Sequence, residues 1–348
     1  MGVHLPFLPS KKRIGITIED DGIRVVETSQ NAGAVQVHQM GMIPLERGLL
    51  VGGKIMNQQA LEQQLSAAKN QLLLSGNKVC LAVPSSFVVI RKIALPRVPD
   101  KEVRPLIEIE LESSVHLPFS RPYFDYYKLP KNNVWALPNQ FSAEKLGSGE
   151  EEQYLVIAAP GELIDQYLSL LKVLRLEATS VDIEPLALHR LLTSGGMELS
   201  RNMLVVQLGV RSINVGIFEG DIPEFLRNIP LDLENYKNSA DENEPSTKEL
   251  LQFLERSSAF SNFAEELARE LERVINFYQF SLKNGIVKLD TMYLTGDFPD
   301  LDKMVRFLRE RLPQLKIAPL PLEHIEHVGA NQAMLQAFSV ALGLSLRG

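Results

Sequence analysis

The chain contains the same strand–turn–strand pattern twice, and this duplication constrains its fold more than any other feature of the sequence. Residues 13–28 and 203–218 each give an apolar run, a turn and a second β-rich run. The two copies correspond at a constant offset of 190 residues, so that Thr17 matches Gln207. A hairpin repeated about one half-length apart predicts a duplicated fold with two lobes.

The ends of the first strands decide whether such a fold can use a nucleotide. A nucleotide held between two lobes needs small residues in each turn, so that backbone N–H groups reach phosphate, and a carboxylate that organises the metal. Thr17 and Gln207 stand where those carboxylates are expected. The first turn carries Glu19, Asp20 and Asp21, whose negative charge disfavours a bound phosphate.

Composition and charge exclude several classes of protein. The 348 residues exceed what one hydrophobic core usually organises, which predicts two or more subdomains. A net charge of −7 argues against nucleic acid as the main partner, because phosphate neutralisation requires a basic face. The one cysteine, Cys80, is predicted to be a buried, inert thiol in a reducing compartment. No stretch approaches the roughly 18 apolar residues of a membrane span, so a cytoplasmic location without direct membrane insertion is expected.

Hydrophobic periodicity and breaks in composition predict an α/β chain with five regions. In chain order they are the N-terminal part of the first lobe (10–77), an inserted β-β-α-β-β-α subdomain (78–176), a linking strand and helix (177–200), the second lobe (201–330) and a C-terminal helix returning to the first lobe (331–348). Residues 232–247 are acidic and poor in apolar side chains, which predicts a disordered loop.

Ordered blocks along nearly the whole chain resemble the PilM family, actin-like type IV pilus assembly proteins related to the cell-division protein FtsA. The blocks are Ile14-Gly-Ile-Thr-Ile18, Leu81-Ala-Val-Pro84, Ile107-Glu-Ile-Glu-Leu-Glu112, Leu117-Pro-Phe119, Leu204-Val-Val-Gln-Leu-Gly209, Phe277-Tyr278-Gln279 and Tyr293-Leu-Thr-Gly296. The resemblance implies a duplicated two-lobe actin-like (ribonuclease H-like) α/β fold with an inserted subdomain.

The chain departs from the family pattern mainly at the nucleotide site. Where the family has Asp-Ile-Gly in its first phosphate strand, this chain has Thr17-Ile18-Glu19, and its adenosine turn is Gly296-Asp297-Phe298, whose ring is expected to crowd the base. The resemblance therefore implies a degenerate nucleotide site made of Gly15, Thr17, Glu19, Asp20, Asp21, Gly22, Gln207, Gly209, Ser212, Gly296, Asp297 and Phe298. The glycines among them still permit close approach to a nucleotide, but a structural role in a strand or turn explains each equally well.

The function that the resemblance implies is a non-catalytic scaffold without cofactor or metal, peripheral at the inner face of the cell membrane. Its partners would be the cytoplasmic tail of a PilN-like protein and other inner-membrane components of the assembly machine. The tail is expected in a groove whose residues are Ile93, Leu95, Val115, Leu117 and Phe119. Core packing is the alternative role for each of these residues.

Two other functions stay open at the level of the sequence. One is an ATP-dependent enzyme or nucleotide switch that binds ATP with Mg²⁺, and the other is an FtsA-like membrane tether. The second requires a basic amphipathic helix beyond the folded body, whereas the apolar residues of 330–346 are spread around one predicted helix, as burial requires. Self-association into a homo-oligomer, and service in DNA uptake or secretion in place of pili, are left open.

Overall fold

The computed structural model describes residues 11–31, 34–130, 151–209, 211–233, 257–327 and 329–347. These residues belong to two compact units, one built from Met1–Ser86 with Tyr167–Gly348 and the other from Phe87–Gln166. Most of the predicted acidic loop, from residue 234 onward, lies outside the described residues.

The described chain contains both strands and helices. The strands are β1 (Arg13–Glu19), β2 (Gly22–Asn31), β3 (Ala34–Pro44), β4 (Leu50–Val51), β5 (Lys54–Ile55), β6 (Lys78–Val83), β7 (Val89–Pro96), β8 (Pro122–Lys128), β9 (Glu151–Pro160), β10 (Glu177–Ile183), β11 (Asn202–Leu208), β12 (Ile213–Glu219), β13 (Ile222–Ile229), β14 (Thr291–Gly296), β15 (Lys316–Pro319) and β16 (Ile325–Glu326). The helices are α1 (Gln58–Ala68), α2 (Asp100–Ser113), α3 (Gly161–Val173), α4 (Glu184–Ser194), α5 (Ser257–Asn276), α6 (Leu301–Arg311), α7 (Gln332–Ala337) and α8 (Ser339–Ser345). A π-helical turn, Phe277–Leu282, continues α5.

The larger unit contains two sheets of matching topology. The first has the order β10-β6-β1-β2-β3-β16, and the second has the order β13-β12-β11-β14-β15. In each sheet a three-stranded antiparallel meander is extended by two strands that run parallel to its first strand. The predicted duplication into two lobes is therefore confirmed.

The duplication also holds at the level of register. Thr17 pairs with Arg24 in the first hairpin, and Gln207 pairs with Asn214 in the second. Both members of the second pair lie 190 residues after those of the first, which is the offset found in the sequence. Because side chains alternate faces along a strand, the same register puts corresponding residues on corresponding faces of both sheets.

The smaller unit is a three-stranded antiparallel sheet with the order β7-β9-β8, to which α2 contributes an apolar face. Its limits correct the predicted inserted subdomain of residues 78–176. Lys78–Val83 pairs in parallel with β1 and β10 in the first sheet, since a strand whose residues are apolar and buried from Val79 onward fits a position covered on both faces. The residues from Tyr167 onward likewise belong to the larger unit.

Side-chain caps mark the start of three helices. Asn57 accepts a hydrogen bond from the Ala60 amide at the start of α1, and Asp300 accepts one from Lys303 at the start of α6. Asn331 caps α7 in the same way. Each cap satisfies an amide that has no partner within its helix.

The predicted continuous helix over residues 330–346 is also wrong, because Phe338 separates α7 from α8. The hydroxyl of Thr295 on β14 lies 3.1 Å from the Gln336 carbonyl and 2.8 Å from the Ser339 hydroxyl, at the same break. These contacts supply hydrogen-bond partners where the helical pattern is interrupted. All seven residues of α8 are buried, which agrees with the predicted burial of the segment.

Two glycines allow α8 to pack directly on backbone. A Cβ atom on Gly343 would lie 2.0 Å from the Ala187 carbonyl oxygen of α4, and one on Gly15 of β1 would lie 2.0 Å from the Ala341 oxygen of α8. No side chain fits such a gap unless the elements separate. At these two positions the absence of a side chain therefore lets α8 pack directly against the backbone of β1 and α4.

We expect Gly343→Ala to destabilise the protein by about 2 kcal/mol or more, measured as the free energy of unfolding in urea. Helix propensity alone would give a gain of about 1 kcal/mol, so the sign of the change tests the close contact. Gly76→Ala is the matched control, because the nearest atom to its added Cβ is 3.9 Å away. Equal stability of the two variants would contradict the packing described here.

Candidate functional site

A narrow cleft lies where the turns of the two repeated hairpins meet the start of α4. Its residues are Ile18, Glu19, Asp20, Asp21, Gly52, Gly53, Pro84, Ser85, Ser86, Glu184, Gln207, Gly209, Arg211, Ser212, Asn214 and Asn228. The cavity has a volume of about 80 Å³, whereas pockets for small ligands usually measure roughly 300–1,000 Å³. Of the predicted nucleotide-site residues, it brings together Glu19, Asp20, Asp21, Gln207, Gly209 and Ser212.

The predicted glycines outside the cleft have packing roles. Gly15 makes room for α8, and a Cβ on Gly22 would lie 2.9 Å from the Ile43 carbonyl oxygen. Gly296 has a φ of +117°, and its Cβ would lie 2.2 Å from the Leu208 carbonyl oxygen. Neighbouring backbone atoms therefore fill the space that the missing side chains of these glycines leave. Thr17 is buried within β1.

Phe298 lies in the core of the second lobe and does not line the cleft. It is 5% exposed and stacks on Phe263 of α5 with ring centroids 5.7 Å apart. The prediction that its ring crowds a base is wrong, because an apolar ring after β14 packs inward against the helix.

The cleft is organised by Arg24, a residue that the sequence analysis missed. Its guanidinium is 2% exposed and donates to Glu19 at 3.0 Å and to both carboxylate oxygens of Asp21 at 3.1 and 2.7 Å. A third carboxylate, Asp297, accepts from it at 2.8 Å. The signal available in the sequence was an arginine flanked by two acids on the same hairpin. The contact with Asp297, 273 residues away, gives no local signal.

Burial and charge shift the ionisation of this cluster. Burial raises the pKa of Glu19 to about 7, against the opposing attraction of Arg24, and the neighbouring charges of Asp21 and Glu184 add to the rise. Burial lowers the pKa of Arg24, but Glu19, Asp21 and Asp297 together outweigh it and raise that pKa above its ordinary value. Arg24 therefore stays charged, and Glu19 takes up a proton near neutral pH.

Asp20 fixes the neighbouring β4–β5 turn. Its carboxylate accepts from the amides of Gly52 at 2.7 Å and Gly53 at 2.9 Å. Both glycines have positive φ, as this two-residue hairpin turn requires. Tyr167 donates to the Gly53 carbonyl oxygen at 2.6 Å, so the turn is held from two sides. The carboxylate of Asp20 is thus engaged in backbone contacts.

Glu184, at the start of α4, joins both lobes on the other side of the cleft. It accepts from the amide and hydroxyl of Ser85 at 3.0 and 2.6 Å and from the Asn214 side chain at 3.1 Å. Burial raises its pKa, while the Ser85 hydrogen bonds oppose the rise. Ser85 follows β6 and Asn214 belongs to β12, so this one carboxylate connects the two sheets.

These side chains are a poor fit to a magnesium nucleotide. Phosphates at the first turn would meet Glu19 and Asp21, and they would have to displace the contacts that neutralise Arg24. Within the described residues, no group of histidine, cysteine, aspartate and glutamate is arranged to hold a metal ion.

The residues predicted to bind a partner tail lie in the smaller unit and do not form one exposed surface. Ile93 and Leu95 are 7% and 3% exposed and belong to its core, since alternate residues of β7 face α2. Their predicted role in an open groove is wrong. Val115 and Leu117 are half-buried against the same core, and Phe119 is also half-buried.

Among the described residues of the smaller unit, the exposed large apolar side chains are Ile109, Tyr123 and Tyr127. A cavity of about 340 Å³ lies between α2 and the start of β8, lined by Glu108, Glu112, Arg121, Pro122, Tyr123 and Phe124. Glu108 and Glu112 lie on the exposed face of α2.

Comparisons with known proteins agree with this architecture. The family model for type IV pilus assembly protein PilM matches residues 15–348. A solved structure described as the PilM-PilN type IV pilus biogenesis complex matches with a TM-score of 0.76 at 24% identity, covering 97% of this chain and 98% of that chain. The ethanolamine utilization protein EutJ from Carboxydothermus hydrogenoformans matches with a TM-score of 0.53 at 12% identity, covering 98% of this chain and 91% of that chain. The comparison with curated proteins gave no match.

The raised pKa of Glu19 predicts how stability depends on pH. Below its ordinary pKa of 4.5 the carboxyl is neutral in both folded and unfolded chains. As pH rises toward about 7 the unfolded chain ionises first, so the folded state progressively loses stability. Between about pH 5 and pH 8 we expect this effect to lower the free energy of unfolding of the wild type by on the order of 1–3 kcal/mol. Glu19→Gln should lack this decrease, because it has no carboxyl group to ionise.

Urea unfolding of the wild type and Glu19→Gln across that pH range measures this difference. Glu310→Gln, on the exposed face of α6, is the control for loss of a carboxylate. If Glu19→Gln keeps the pH slope of the wild type, Glu19 does not have the environment described here.

Proposed function

The chain belongs to the type IV pilus assembly protein PilM family, and we propose that within pilus assembly it acts as a non-catalytic scaffold. The observation that carries this proposal is the Arg24 cluster. The Arg24 guanidinium and the carboxylates of Glu19, Asp21 and Asp297 meet beside the first turn, where a nucleotide-using member would bind phosphate. The scaffold then needs no ATP and no Mg²⁺.

The proposed role in protein–protein binding rests on the comparison with a known complex. The structure that matches with a TM-score of 0.76 is described as a PilM-PilN complex. By analogy, this chain would bind the cytoplasmic tail of a PilN-like protein of the inner membrane, together with other components of the machine. We propose the end of α2 and the half-buried Val115, Leu117 and Phe119 as the tail's contact surface.

We propose a cytoplasmic location, peripheral at the inner face of the cell membrane. None of the helices in the described residues has both the length and the apolarity that a bilayer span requires. Attachment to the membrane would then come from the tail of the partner. For the FtsA-like alternative, α8 is buried in the core and could not itself serve as the amphipathic tether.

A nucleotide switch is the second candidate function, and one side of the cleft favours it. Gly209, Arg211 and Ser212 form the turn of the second hairpin without an acid, so this wall could approach a phosphate. The opposing wall and the small cavity weigh against the switch, which would require the two lobes to separate.

We expect the purified protein to show no Mg²⁺-dependent ATP hydrolysis, because neither Thr17 nor Gln207 supplies a carboxylate to organise the metal. The measurement is phosphate release by the wild type and by Gln207→Ala, prepared in parallel. Equal, background rates are the expected result. Turnover by the wild type that Gln207→Ala abolishes would establish the switch in place of the scaffold.

For the partner, we expect Leu117→Glu to weaken capture of the PilN-like tail peptide by about 10- to 100-fold, since burial of a leucine contributes roughly 1.5–3 kcal/mol. Fluorescence anisotropy with a labelled tail peptide and the full chain gives the affinity. Leu73→Glu is the matched control, because Leu73 is 75% exposed in the larger unit.

Circular dichroism establishes whether each variant is folded. If Leu117→Glu does not fold, Ile109→Glu on the exposed face of α2 serves as the second variant. Wild-type affinity in the folded variants would show that the tail binds elsewhere.

A further inference from the structure

The ion pair between Arg24 and Asp297 connects the two lobes across the cleft. Arg24 lies on β2 of the first sheet, and Asp297 directly follows β14 of the second. Their nitrogen and oxygen atoms are 2.8 Å apart. A charged pair at this distance, with one member buried, is strong enough to influence how far two lobes open.

The backbone before Asp297 is shaped for this contact. Gly296 has a φ of +117°, a conformation that side-chain-bearing residues rarely adopt. Its Cα also passes so close to Leu208 at the end of β11 that a Cβ would lie 2.2 Å from the Leu208 carbonyl oxygen. The chain thus leaves β14 through a turn that only glycine allows, and the next residue reaches the first lobe.

The two ends of the ion pair are held differently. Arg24 is 2% exposed and is fixed by Glu19 and Asp21 of its own hairpin. Asp297 is 50% exposed, and Arg24 is the partner that reaches it from the other lobe. If the lobes separate, Arg24 therefore keeps its local partners, and the contact that breaks is the one with Asp297.

We propose that Arg24 and Asp297 form an interlobe latch that holds the cleft closed without a bound ligand. Glu184 supports the closed state from the other side through its contact with Asn214 at 3.1 Å. In a nucleotide-using two-lobe protein the ligand itself contacts both lobes. Here side chains of the chain make that connection. The latch goes beyond the scaffold role and does not depend on which partner the protein binds.

The distance between spin labels on the two lobes tests the latch. Ser66→Cys on α1 and Glu310→Cys on α6 are both exposed, whereas the native Cys80 is buried and poorly accessible to the label. Double electron–electron resonance on the labelled full chain should give one narrow distance distribution without nucleotide. Adding Mg²⁺ and ATP should leave it unchanged. Asp297→Asn should shift the distribution to longer distances and broaden it.

Asp21→Asn is the matched control. It removes a carboxylate from the same guanidinium, but within one hairpin, so it should leave the distance unchanged. Asp297→Ser replaces Asp297→Asn if the latter does not fold. An unchanged distribution in the Asp297 variant, an equal shift in Asp21→Asn, or a broad distribution in the wild type would each overturn the latch.

Discussion

Burial of the Arg24 guanidinium is the constraint on which the cleft depends. A buried charge costs several kcal/mol unless it is paired and hydrogen-bonded. Arg24 meets this requirement with Glu19 and Asp21 from its own hairpin and Asp297 from the other lobe. A metal ion or a phosphate at this turn would have to compete with the contacts that these carboxylates make to Arg24. The charge of the cleft therefore depends on Arg24 of β2, whereas the residues expected to decide nucleotide binding lie on β1.

Local patterns predict the duplicated hairpins but not how distant segments combine. The offset of 190 residues carries over to the pairs Thr17–Arg24 and Gln207–Asn214, because register follows from side-chain alternation within each hairpin. The apolar strand Lys78–Val83 gives no such information, since an apolar run does not identify its neighbours in a sheet. The contact of Arg24 with Asp297 and the inward turn of Phe298 depend on tertiary packing and are absent from local sequence.

The smaller unit illustrates the same limit for binding surfaces. Ile93 and Leu95 are apolar residues of a short strand. In the sequence, such residues look the same whether they belong to a core or line a groove. The structure distinguishes them, because both side chains pack against α2. Surface residues of the same unit, such as Ile109 and Tyr127, follow no apolar pattern that would identify them. A partner surface is thus made of the apolar residues that the core does not bury, and the structure is needed to identify them.

The first sheet is completed by segments from far along the chain. Strand β16 pairs in parallel with β3, and α8 packs on β1 at Gly15. During synthesis on the ribosome, residues 11–86 emerge hundreds of residues before these partners. The first lobe consequently has an unfinished edge and an uncovered face until β16 and α8 have been synthesised. Contacts of such high sequence separation form slowly, so the nascent chain would expose apolar surface until these segments emerge, and chaperones would shield it during that interval.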